Sequence, residues 1–149
     1  MSKHLLSFGH GYSAQALAKR LLGQDWKITG TTRSTDRALA LKSTGVTPVI
    51  WPGGEIGPAL EDATHLLTSI APKDGTDPLL ATLESALAAA EPRLKWVGYL
   101  STIGVYGDQK GAWVDETSPL TPSTQRGADR VAAEAAWSNL ADRSGLPLH

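Results

Sequence analysis

Residues 4–14 read HLLSFGHGYSA. A short apolar run ends in glycines, and a helical pattern begins directly after them. Residues 12–23 place Ala14, Leu17, Ala18, Leu21 and Leu22 at helical spacing, and Gly23 stops them. At the junction, Gly9, Gly11 and Ala14 match G-x-G-x-x-A between a strand and a helix. Without a Cβ, Gly9 can turn tightly and Gly11 lets a pyrophosphate approach the backbone; the small Ala14 allows close helix–strand packing. The helix N-terminus behind them offers unpaired N–H groups and the positive end of its dipole. Gly9, His10, Gly11, Tyr12, Ser13 and Ala14 are therefore the candidate phosphate-binding segment of a dinucleotide site. The same pattern can also be an ordinary glycine turn. Its weight comes from its place in the first strand–helix turn of an alternating chain.

That alternation continues. WKITGTT (26–32) reads as a second strand, and STDRALALKSTG (34–45) as a helix with a polar start and Gly45 as its stop. VTPVIW (46–51) is a third strand, closed by the turn-rich PGGEIGP (52–58). THLLTSIA (64–71) is a fourth strand. Asp77 then reads as an N-cap and Pro78 as the first helical position of PLLATLESALAAAE (78–91). LKWVGYLST (94–102) is a fifth strand, and a glycine-rich polar loop occupies 104–121. The last helix is PSTQRGADRVAAEAAWSNLADRSG (122–145). Parallel neighbours need crossover connections, so this order predicts an α/β fold, a doubly wound parallel sheet with helices on both faces. The final LPLH reads as the start of a sixth strand, the alternative being a frayed tail.

The bulk properties narrow the function. The chain has 149 residues, enough for one domain with a proper core. Fourteen basic against fifteen acidic side chains leave no footprint for a nucleic acid or a membrane surface. With no cysteine there is no disulfide framework and no thiolate nucleophile. MSKHLLSF turns polar too quickly for a signal peptide, and no apolar run approaches a membrane span of roughly 18 residues. A cytoplasmic protein is expected. His4, His10, His65 and His149 lack metal-ligand spacing, so no metal site is expected.

A dinucleotide site that prefers NAD places Asp or Glu at the end of the second strand. That strand ends TGTTRS, with no carboxylate between Ile28 and Ser34. Arg33 stands there instead, flanked by Thr32 and Ser34, and a guanidinium suits a 2′-phosphate. The favoured cofactor is NADP, with NAD as the alternative. The fourth strand ends TSIAP (68–72), and ligands of doubly wound sheets lie across such carboxyl ends. Thr68, Ser69 and Ala71 are thus candidates to line the cleft.

The fifth strand and the loop after it read YLSTIGVYGD (99–108) and WVDETSPLTP (113–122). Together with GHGYSA and the order of elements, they resemble the extended short-chain dehydrogenase/reductase superfamily, close to the NAD-dependent epimerase/dehydratase type. The resemblance covers nearly the whole chain. It implies a Rossmann domain over 1–149 that is incomplete at its C-terminus, followed in the family by a smaller substrate-binding portion. It also implies hydride chemistry on a small carbonyl or sugar-like substrate. The expected partner is such a small molecule, with no nucleic acid and no membrane; a homodimer is compatible. Family members use a Ser/Thr, a Tyr and a Lys. The Ser/Thr position here is Thr102, with Ser101 as a second candidate.

Tyr-x-x-x-Lys should follow on the next helix. The matching positions read Arg126-Gly127-Ala128-Asp129-Arg130. Arginine stays protonated, so it is a poor proton shuttle, although it binds anions well. Arg130 can keep the lysine's ribose-binding role, whereas Arg126 cannot do a phenol's work. Two other readings stand beside this one. The arginines can form surface pairs with Asp129 and Glu134, which contribute only about 0–1 kcal/mol. Alternatively, the domain is a catalytically inactive NADP(H)-binding sensor or interaction module.

Overall fold

The computed structural model describes residues 2–149. Five parallel strands form one sheet: β1 (Lys3–Phe8), β2 (Trp26–Thr32), β3 (Thr47–Ile50), β4 (His65–Thr68) and β5 (Trp96–Tyr99), in the order β3-β2-β1-β4-β5. Helices α1 (Tyr12–Leu22), α2 (Thr35–Ser43), α3 (Gly57–Asp62), α4 (Pro78–Ala90) and α5 (Gln125–Ser144) connect and follow them. The order reverses between β1 and β4, which opens a crevice at their carboxyl ends. The expected doubly wound sheet is therefore the observed one.

Each strand sends alternate side chains to opposite faces. Leu5, Ile28 and Leu67 point to one face and pack with Ala14 and Ala18 of α1 and Leu41 of α2. Leu6, Phe8, Leu66 and Val97 point to the other, against Leu60 of α3, Leu79 and Leu87 of α4, and Trp137 and Leu140 of α5. Both faces are apolar, which is why these strands read as continuous hydrophobic runs rather than alternating ones.

Four features differ from the expectation, one being that the fifth strand, expected over 94–102, spans only Trp96–Tyr99. The turn-rich stretch after β3 leads into α3, with Pro58 in its first turn, so the crossover to β4 is helical. The fourth strand ends at Thr68 rather than continuing to residue 71, because the chain beyond Ser69 leaves the ladder. Residues 103–106, expected as loop, form a 3-10 turn. The C-terminal LPLH does pair in parallel with β5: Val97 N–H donates to Pro147 O at 2.9 Å and Tyr99 N–H to His149 O at 2.9 Å. No helix among the described residues is long and apolar enough to cross a membrane.

Asp77 joins the second layer together. Its Oδ1 caps α4 by accepting from the N–H groups of Leu79 (2.9 Å) and Leu80 (3.2 Å), and its Oδ2 accepts from Trp137 Nε1 at 3.1 Å. One buried carboxylate thereby orients α4 and the largest buried side chain of α5. The first turn of α5 presses on the 3-10 turn after β5. A Cβ added at Gly127 would stand 2.7 Å from Gly104 O and 3.0 Å from Pro122 Cβ.

That approach predicts the sign of Gly127→Ala. Alanine normally stabilises a helix by up to about 1 kcal/mol relative to glycine. Here the clash reverses the gain, and denaturant unfolding should show a loss of roughly 1–3 kcal/mol; a stabilised variant would contradict the packing. A second expectation concerns pH. Burial holds the His4 and His10 imidazoles below their ordinary 6.5, so the unfolded chain binds more protons once pH falls under that value. Stability is then full above about pH 6.5 and declines below it. Tm at about pH 5.5 should lie below Tm at about pH 7.5, and a flat profile would show that these rings are not buried neutral.

Candidate functional site

The glycine loop is tied into the sheet at several points. Gly9 has φ +71, and a Cβ there would stand 2.8 Å from Ile70 Cγ1, so the turn requires glycine on both counts. Gly9 N–H donates to Thr31 Oγ1 at 2.9 Å, and Gly9 O accepts from Ser69 Oγ at 2.6 Å. His10 N–H donates to Thr31 O at 3.0 Å. Gly11 is different. A Cβ there would meet only Gly9 O, at 3.7 Å, so nothing in the protein fills the space beside it. The N-terminus of α1 has no side-chain cap, whereas α2, α4 and α5 are capped by Ser34, Asp77 and Thr124. Open space beside Gly11 and uncapped N–H groups behind it fit a phosphate, which would supply the missing acceptors.

Two adjoining cavities open beside this loop. The larger, of about 660 Å³, runs along α1 past His10, Gln15 and Lys19 to Val46. The smaller, of about 380 Å³, is walled by His10, Gly11, Thr32, Arg37 and Thr44. Both lie on the β2 side of the loop, where α1 and α2 flank the sheet. Tyr12 and Ser13 open α1 as exposed residues, with Tyr12 at the cavity mouth, and Ala14 is buried against the sheet.

The other candidates for the cofactor divide between surface and scaffold. Arg33 is exposed. Ser34 Oγ accepts from Arg37 N–H at 3.4 Å, and Ser34 N–H donates to Thr32 Oγ1 at 3.3 Å. Thr68 is fully buried, so its side chain belongs to the core and not to the cleft surface. Ser69 spends its hydroxyl on the glycine loop, and Ala71 is exposed. Two residues were not singled out from sequence. Thr31 anchors the loop through both its side chain and its carbonyl, and Arg37 walls the smaller cavity. Arg37 lies in the first turn of α2, so the helical pattern of 34–45 was the signal that could have placed it beside the end of β2.

The end of β5 is the second half of the region. Thr102 Oγ1 accepts from Gly104 N–H at 3.3 Å and caps the 3-10 turn. Ser101 is exposed, and its hydroxyl donates to Glu134 Oε1. Arg126 and Arg130 do not stand side by side in solvent. Arg126 is exposed, while Arg130 is only 6% exposed. Its guanidinium donates to Leu100 O and lies 5.6 Å over the Tyr99 ring. The surface pairs weighed from sequence are absent as well. Glu134 is occupied by Ser101, and Asp129 is buried, accepting from Gly75 N–H at 2.9 Å and Gln125 Nε2 at 2.8 Å.

Neither Tyr99 nor Asp115 replaces a phenol in proton transfer. Burial pushes the Tyr99 phenol above its ordinary value, with the Arg130 charge pulling against it, and its oxygen is inaccessible. Asp115 accepts from Thr117 N–H (2.9 Å), Thr117 Oγ1 (2.7 Å) and Ser118 Oγ (3.4 Å). The bonds from Thr117 hold this carboxylate below its usual range, so it stays a charged turn-former.

No protein-family model and no curated protein matches the chain. Solved structures do. A functionally unknown conserved protein from Silicibacter pomeroyi DSS is 51% identical, with a TM-score of 0.91 over 99% of this chain and 51% of that one. A UDP-glucuronic acid 4-epimerase from Bacillus cereus, in complex with NAD, is 20% identical with a TM-score of 0.76 over 97% of this chain and 54% of that one. A dTDP-glucose 4,6-dehydratase from Bacillus anthracis str. Ames, also in complex with NAD, is 18% identical with a TM-score of 0.74, covering 98% and 53%. The chain spans about half the length of each of these proteins. Over that length the chain has a Rossmann-like fold, the same fold as these epimerase and dehydratase structures.

Proposed function

We propose that this chain binds a nicotinamide dinucleotide, NADP(H) in preference to NAD(H), and belongs to a protein acting on a small carbonyl or sugar-like substrate. The observation that carries the reading is the glycine loop: a turn only glycine can make, open space beside Gly11, and an uncapped helix directly behind. The neighbours solved with NAD share this fold, which supports the cofactor class. The preference for NADP rests on the second strand, whose end carries Arg33 and no carboxylate, and on Arg37 in the wall of the adjoining cavity. Guanidinium groups at the end of β2 and in the first turn of α2 suit a 2′-phosphate, which accepts paired charge-assisted hydrogen bonds.

The residues divide the work by position. Gly9 to Ala14 would hold the pyrophosphate, and Thr32, Arg33 and Arg37 the adenosine ribose. A nicotinamide, when bound, supplies hydride exchange. Thr102 has its oxygen engaged by Gly104 N–H, which leaves its O–H free to donate to a substrate carbonyl. Arg126 can hold an anionic substrate group but cannot exchange a proton near neutrality.

A second reading, a binding or sensing module without turnover, is favoured by one specific observation. Arg130 is buried and bonded to Leu100 O, so it is turned into the protein instead of toward a ribose. Calorimetric titration with NADPH and NADH tests the cofactor assignment. NADPH should bind at least tenfold tighter, about 1.4 kcal/mol, and Arg33→Ala with Arg37→Ala should erase the difference. Failure of both nucleotides to bind would refute the reading. Cofactor oxidation across a panel of carbonyl and sugar-nucleotide substrates then separates the two alternatives. Turnover supports the enzyme; tight binding without turnover, with activity appearing in Arg126→Tyr/Arg130→Lys, supports the module.

A further inference from the structure

His10 sits between the two glycines of the loop, and it is 6% exposed. Both of its ring nitrogens are buried without a hydrogen-bond partner. Buried polar atoms are almost always paired, so two orphans on one ring call for a physical reason. The ring cannot easily turn away. It rests on β2 at Gly30, where an added Cβ would stand 2.7 Å from His10 Cγ. Its backbone is bonded to Thr31 O at 3.0 Å and to Gln15 Nε2 at 3.3 Å. It lines both cavities beside the loop.

The charges facing it are of one sign. From α1 come Lys19, with Tyr12 and Gln15; from α2 comes Arg37; β2 contributes Gly30 and the neutral Thr31 and Thr32. Among the described residues no carboxylate lines either cavity. Burial alone pushes the imidazole below its ordinary 6.5, so it is neutral near pH 7. An anion on the loop would be the first negative charge to face this ring. In a poorly solvated environment that charge favours the protonated form.

We infer that His10 is a proton-linked element of the phosphate site: it takes up a proton as a diphosphate settles on the glycine loop, so that each event strengthens the other. The inference rests on the dinucleotide reading of the same loop. Linkage makes the coupling reciprocal. Affinity for the diphosphate then rises as pH falls and levels off above the range in which the bound histidine titrates.

NAD+ is a suitable probe, because its diphosphate diester carries a constant charge between about pH 5.5 and about pH 8, the range in which histidine titrates. Titration calorimetry in two buffers of different ionisation heat reads the proton uptake. The expected result is a fraction of a proton taken up per NAD+ near pH 6, with Kd roughly three- to tenfold lower at about pH 5.5 than at about pH 8. In His10→Asn the pH dependence and the uptake should both vanish. Should that variant misfold, the ring nitrogens of the wild-type protein answer the same question by NMR, moving to the doubly protonated pattern as NAD+ is added. Binding at a pH-independent affinity, with the ring still neutral, overturns the role of His10 and leaves the dinucleotide reading intact. Absence of NAD+ binding across the whole range overturns both.

Discussion

Gly9 carries the tension between the sheet and the start of α1. Its left-handed turn brings the end of β1 against Ile70, and its N–H and carbonyl are claimed from opposite sides by Thr31 and Ser69. Three neighbouring strand ends are thereby joined at one residue. Because the loop is already satisfied on its inner side, the groups left over point outward: the uncapped start of α1 and the open space beside Gly11. Unpaired helix N–H groups remain where the scaffold has run out of its own acceptors. Any side chain at Gly9 would push β1 and the stretch after β4 apart, and the outward-facing geometry would go with it.

The far side of the crevice is built by α5, and there the polar groups are turned inward. Asp77, Asp129 and Arg130 are all buried, and each is spent on structure. Asp77 joins α4 to Trp137, Asp129 holds Gly75, and Arg130 holds the carbonyl of Leu100. One turn beyond Arg130, Glu134 accepts a hydrogen bond from the Ser101 hydroxyl. The helix thus grips the exit of β5 at two successive residues. Arginine suits this use: its fixed charge and several donors can serve a backbone carbonyl and an aromatic face together. The same permanence removes it from proton transfer. The two arginines of α5 are thus one surface cation and one internal strut.

Much of this was legible without coordinates. Alternating apolar runs and helical spacings carried the parallel sheet, since each run is short, local and bounded by glycine or proline. The caps at Asp77 and Gly145 were readable for the same reason: they depend on one or two residues. Elements set by distant partners were less readable. The short helix α3 has one turn of pattern hidden among glycines and prolines, and it is held by Leu60 packing under the sheet. The fourth strand stops early because the chain past Ser69 leaves the ladder while its hydroxyl turns to Gly9, 60 residues away in sequence.

The candidate site divides along the same line. Sequence alone determined that a glycine loop opens a helix after the first strand, that no carboxylate ends the second, and that two arginines stand four apart near the start of the last helix. These are facts of residue type and spacing. Only the tertiary structure decided which side chains reach the ligand side. Arg37 enters the cavity wall because α2 lies beside the loop, and Thr68 is lost to the core because its strand faces α4 and α5 at that register. Arg126 and Arg130 share one face of α5 but differ along its axis: Arg126 is in the exposed first turn, while Arg130, one turn on, is buried and bonded to Leu100 O. Spacing assigns residues to a helix face, but burial depends on which turn of that face meets the rest of the fold, and that contact is made by residues far apart in the chain.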